Sequence, residues 1–149
     1  MNIKKSNSGF TIIEVMIVLV IAAVILLIVF LAVPALQRNS RNNQRKNDIS
    51  RVVSGIAEWA SNNGGRLPST DDEKSQALQN VGTGAFYSTA PAWTVGTTTN
   101  ANDPDSFQIA TSATCGSNGN ATASTNTRRY VALYSVESGS GNTPLCVES

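Results

Sequence analysis

Gly9-Phe10-Thr11-Ile12-Ile13-Glu14, followed directly by Val15–Val33, is the stretch on which the reading of this chain turns. Val15 to Val33 is an unbroken run of 19 apolar residues, and from Phe10 to Leu36 only Thr11 and Glu14 interrupt the apolar character. At ~1.5 Å per residue such a helix reaches about 28 Å, close to the ~30 Å hydrocarbon core of a bilayer, so a membrane-spanning helix is expected. The competing reading is a secretory signal, whose apolar region is about 7–15 residues long and ends at a small-residue cleavage site. The far side here reads Pro34-Ala35-Leu36-Gln37-Arg38, which matches such a site poorly.

The rest of the composition is unlike that stretch. The 149 residues carry 11 Lys and Arg against 10 acids, a formal charge of +1, and charged residues are only 14% of the chain. That balance argues against a nucleic-acid partner, which calls for a basic surface. Histidine is absent, which removes histidine triads, histidine general acids and histidine metal sites together. A serine hydrolase would need a lysine base, and Lys74 is the only lysine beyond Lys46. No catalytic constellation, cofactor or metal is therefore expected.

Downstream of the apolar run, Arg38 to Asp48 contains no apolar residue at all. A helix polar all round has to be held by its continuation or by partners. The continuation is amphipathic: Ile49, Val52, Val53, Ile56, Ala57 and Ala60 fall on one helical face, with Trp59 bordering it. Asn62-Asn63-Gly64-Gly65 supplies a carboxy-terminal stop. A single rod from Phe10 to Asn62 would be about 80 Å long. Pro34 lies within it, without an amide donor and with its ring against the carbonyl of Phe30, so a kink or local unwinding is expected there.

The last part of the chain is rich in Ser, Thr, Asn and Gly. Ser69-Thr70-Asp71-Asp72-Glu73 reads as the start of a short helix running to about Val81. Strands are expected at Ala92–Val95, Ser106–Thr111, Arg129–Val136 and Leu145–Val147. The run Tyr130–Val136, apolar on both faces, suits the centre of a small sheet. Thr97–Ala101 and Ser117–Thr127 read as polar loops that do not pack. So few short strands bury little apolar surface alone, which makes the stripe around Ile49–Ala60 their expected core. The expected class is α+β: a long amino-terminal helix whose carboxy-terminal half packs on a small antiparallel sheet. Cys115 and Cys146 enclose 30 residues. Paired, they would report an oxidising compartment; the alternative is two thiols in a cytoplasmic domain.

Met1 to Gly9 is a short polar leader with Lys4 and Lys5, ending in glycine immediately before Phe10-Thr11-Ile12-Ile13-Glu14. This arrangement resembles the class III signal sequence of type IV prepilins, with Gly9, Phe10 and Glu14 on its defining positions. The resemblance implies a leader at 1–9, a membrane and filament-core helix at 10–36, an amphipathic continuation at 37–63 and a β-rich head at 64–149. It implies cleavage between Gly9 and Phe10 by a prepilin peptidase, N-methylation of Phe10, and retention of the apolar segment. It also implies a homo-oligomeric helical filament served by an assembly platform and an ATPase, with the subunit first a single-pass membrane precursor and then part of an extracellular pilus. Pairing of Cys115 with Cys146 matches the carboxy-terminal disulfide loop of many pilins.

Glu14 can be argued from charge alone. A carboxylate at the edge of an apolar span needs a partner, and no cationic side chain lies between Lys5 and Arg38. Cleavage after Gly9 would create one new cation nearby, the Phe10 amine, and that of a neighbouring subunit is the better placed. Such a pair would set the axial register between helices. The alternative is a carboxylate snorkelling to the headgroups. One signal points the other way: Arg38, Arg41, Arg45 and Lys46 follow the span, and the positive-inside rule taken literally would leave the carboxy-terminal part in the cytoplasm. The acids Asp71, Asp72 and Glu73, and the pair Asp103 and Asp105, read as a helix start and a turn, with calcium as the alternative. Asn120-Ala121-Thr122 fits a glycosylation sequon that is frequent by chance. The function expected is a structural pilus subunit. The alternatives are a pseudopilin of a type II secretion system, or a single-span anchor carrying a binding domain.

Overall fold

A computed structural model describes residues 9–79, 87, 90–99 and 102–149. Two compact units divide the chain, one ending at Gln37 and the other running from Arg38 to Ser149. Helix α1 (Ile12–Asn62) contributes to both. It opens on Thr11, and Pro34 lies inside it, the helix running on to Asn62. A proline costs a helix one amide bond, which long flanking helical segments absorb. The stop falls where the glycines are. Gly64 and Gly65 adopt φ of 70° and 78°, and the Gly65 amide donates to the Ala60 carbonyl at 2.7 Å, closing the last turn through a left-handed residue that favours glycine.

In the second unit, helix α2 (Asp71–Leu78) starts with a complete capping box. The Glu73 amide donates to the Thr70 hydroxyl at 3.3 Å, and the Glu73 carboxylate accepts from the amides of Thr70 and Ser69. The helix ends at Leu78, before the Val81 expected; Val81 lies outside the described residues. Then follow β1 (Ala92–Val95), β2 (Phe107–Thr111), β3 (Ala113–Cys115), a 3-10 turn at Ser117–Gly119, β4 (Ala121–Ala123), β5 (Tyr130–Ser138) and β6 (Gly141–Glu148).

β1, β2, β5 and β6 form one sheet in the order β1-β2-β5-β6. Its pairings are antiparallel except β1 with β2, which run parallel with Trp93 beside Ile109. The sheet is thus mixed rather than purely antiparallel. The connection between β1 and β2 is long enough to carry the chain back to the starting end of the sheet, which parallel pairing requires and a tight hairpin cannot provide.

β5 is interior and buried on both faces, as its composition predicts. Tyr130, Ala132 and Tyr134 join Ile49, Val52, Ile56 and Trp59 of α1 in the larger core. Val131 and Leu133 face the smaller cluster of Ala110, Ala113 and Ala121, beside the two cysteines. The Tyr130 hydroxyl donates to the Val53 carbonyl at 2.6 Å, tying strand to helix, and burial pushes its pKa up to about 12.

The helical stripe differs in detail from the expected one. Ala57 is exposed, Trp59 belongs to the core, and burial continues upstream to Asp48 and Arg45. The segment 117–127 is mostly exposed, as expected, but packs at one residue. Ala121 is fully buried, β4 pairs with β3, and Thr98 of the neighbouring polar stretch bridges to Ala121. A single small apolar residue suffices to seat a three-residue strand when its backbone partners already exist. Gly119 is needed there: its φ is 70°, and a Cβ would lie 2.5 Å from the Pro144 carbonyl oxygen.

Candidate functional site

The amino-terminal segment is built around one carboxylate. Thr11 caps α1, and Glu14 lies three residues on, the spacing of a capping box. The Glu14 Oε2 accepts from the Thr11 amide at 2.8 Å and from the Thr11 hydroxyl at 2.7 Å. The Glu14 amide lies 3.4 Å from the same hydroxyl oxygen, to which it donates. Both Thr11 bonds fall on one oxygen, and among the described residues Oε1 takes none. This local partner is what the charge argument overlooked. The T-x-x-E spacing was the signal that could have found it. The box would survive a cut between Gly9 and Phe10, because the Thr11 amide is not part of that bond.

Gly9 and Phe10 stand clear of the fold. A Cβ built on Gly9 meets nothing within 4 Å among the described residues. Phe10 is 88% exposed. The apolar side chains that follow are equally unpartnered in the monomer: every residue from Phe10 to Gln37 is exposed. This part of α1 contains the window of high mean hydropathy, 3.6, long and apolar enough to cross a membrane. An exposed apolar surface of this extent calls for lipid or protein to cover it.

Residues 4–30 match the family described as the prokaryotic N-terminal methylation motif. The chain carries a type IV prepilin leader. No curated protein and no solved structure matches it. The prepilin leader and the apolar helix together fit a membrane-anchored precursor, and the motif suggests a structural subunit.

Beyond the leader, the sequence-derived sites fall into separate places. Cys115 and Cys146 are joined as a disulfide that links β3 to edge strand β6. Among the described residues no group of three or more potential metal ligands gathers. Of the acids considered for calcium, Asp71 pairs with Lys74, Glu73 with Arg66 and Asp105 with Arg45. Asp103 accepts from the Asp105 amide, as in a turn. Within the sequon, Ala121 is buried and the Thr122 hydroxyl meets that of Thr114 at 3.2 Å.

The polar stretch of α1 holds an acid of β5 that sequence reading missed. Glu137, near the end of β5, receives Arg41 through both carboxylate oxygens and Arg45 at 2.8 Å. Asn42 closes the clamp on both backbone groups of Glu137, donating to its carbonyl and accepting from its amide, each at 2.8 Å. Arg45 is 1% exposed and also reaches Asp105 at 3.4 Å. The two guanidinium groups hold the Glu137 carboxyl down to about 2. A helix segment without one apolar residue is thereby fixed to the sheet by charge-assisted bonds.

Proposed function

We propose that this chain is the structural subunit of a type IV pilus, and that it polymerises through its amino-terminal helix. The observation that carries this reading is the methylation motif at residues 4–30, in register with a helix whose apolar side chains as far as Leu36 are all exposed among the described residues. A prepilin peptidase would cut between Gly9 and Phe10, and the new Phe10 amine would be methylated. The open space around Gly9 among the described residues supports this reading.

Assembly is a transfer from lipid to protein. Lipid tails are as apolar as the side chains they cover, so burial from water is not the driving term within the bilayer. Close packing and satisfaction of polar groups are. Glu14 supplies the polar term. Thr11 occupies one of its oxygens and leaves the other to accept from the Phe10 amine of a neighbouring subunit. An ion pair away from water is strong only in good geometry, and that requirement would set the stagger between adjacent helices. Pro34, which leaves the Phe30 carbonyl without its helical donor, is the proposed kink site. The disulfide would close the surface of the exported head.

Mass spectrometry of the mature chain tests the processing. An amino terminus at N-methylated Phe10 is expected, and an intact Met1 or a terminus near Ala35 overturns the reading. Electron microscopy of the cell surface tests the polymer. Glu14→Ala should be processed and folded in the membrane yet give no ordered filaments; normal filaments from this variant would refute the register role.

A further inference from the structure

We propose that the second unit carries a binding cleft for a small hydroxylated carboxylate, an acidic sugar in chemical class, in which Arg128 takes the charge. The cleft lies between the turn after α1, strand β1 and the segment leading into β5, with a volume of about 440 Å³. Small-ligand sites typically occupy ~300–1,000 Å³. Three cations line it, Arg66, Lys74 and Arg128, and no acid does.

Their charges are not equally spent. Arg66 bonds to Glu73 at 2.6 Å and lies over the ring of Trp59. Lys74 bonds to Asp71 at 3.0 Å. Arg128 has no carboxylate partner among the described residues, whereas its neighbour Arg129 is paired with Glu148 at 2.9 Å. The Arg128 guanidinium lies against the backbone of Gly65, where an added Cβ would come within 3.3 Å of its Nη1. That close approach holds the group at the cleft wall. One unspent cation matches a monoanion better than a dianion, which favours a carboxylate over a phosphate.

The remaining wall suits a hydroxylated body. The hydroxyls of Ser112 and Thr127 line the cleft and take no hydrogen bond among the described residues. Those of Thr94 and Thr111 are spent on backbone carbonyls. Val95, 79% exposed, offers an apolar contact for the C–H side of a sugar ring, beside half-buried Trp93, whose ring lies under the Lys74 ammonium at 5.9 Å.

The test is a nitrogen-15 NMR titration of the full chain in an uncharged, sugar-free detergent, with D-glucuronate, D-glucose and inorganic phosphate as probes. Glucuronate should give saturable shifts at the Trp93 indole and at the amides of Ser112, Thr127 and Arg128, and glucose none. Arg128→Gln should weaken glucuronate binding about tenfold or more, the worth of a charge-assisted bond, with resonances elsewhere unchanged. Arg128→Lys should retain part of the affinity. The proposal is overturned if glucuronate gives no saturable shift, if glucose or phosphate binds as well, or if Arg128→Gln binds like the unmodified chain.

Discussion

Glu14 and Glu137 are both carboxylates held by hydrogen bonds, yet they do different work. Glu14 satisfies the first turn of a helix with one oxygen and keeps the other open. Glu137 accepts from two arginines, one of them fully buried. Removing the second charge weakens the hold on the first: Glu137→Gln leaves the buried Arg45 guanidinium beside a neutral amide where a carboxylate stood at 2.8 Å. The expected cost is about 2–4 kcal/mol in the stability of the second unit, read as a lower midpoint in denaturant. The pH dependence follows from the same group. Its folded pKa, about 2, lies below the ordinary 4.5, so its contribution is full above about 4.5 and is lost as pH falls towards 2. Melting temperatures measured across that window should fall more steeply for the unmodified chain than for Glu137→Gln.

Helix α1 is one element with two kinds of surface. Up to Gln37 nothing among the described residues covers it, whereas from Arg45 onward one face is buried residue by residue. Ile56 is fully buried between Trp59 and the tyrosines of β5. Ile56→Ala should destabilise the second unit by about 2–5 kcal/mol through lost burial and the cavity it leaves. Ala57→Ser, one position on and exposed, should change the unfolding midpoint by no more than about 0.5 kcal/mol. Equal effects from the two substitutions would contradict the packing described for this helix.

At the scale of the molecule, the second unit depends on ties between segments distant in sequence. Edge strand β6 is held by β5 on one side and, through Cys146, by β3 on the other. Cutting that tie frees a loop of 30 residues. Cys115→Ser should therefore cost about 3–4 kcal/mol in the chain-entropy model, seen as a matching loss of stability when the unmodified chain is reduced. Because the disulfide packs on the smaller cluster of Ala110, Val131 and Leu133, the variant should expose amides of β3 and β6 to hydrogen exchange before those of β2 and β5.

Periodicity and charge alone determined much of this protein. The apolar run at Val15–Val33, the amphipathic stripe, the stop at Gly64–Gly65 and the interior strand Tyr130–Val136 follow from local patterns, because each depends on neighbours within a few residues, while the leader was legible through its resemblance to those of prepilins. Tertiary structure alone decided what depends on distant partners. The polar run Arg38–Asp48 is fixed to the sheet because Glu137 meets two arginines more than ninety residues away. The parallel pairing of β1 was likewise not legible, since a strand's direction is set by the path of its connection. So was the packing of Ala121, one small side chain in a polar stretch, buried only once β3, Thr98 and the disulfide surround it. A hydrogen bond or a buried methyl draws its energy from a partner, and where that partner is remote the residue carries no local sign of it.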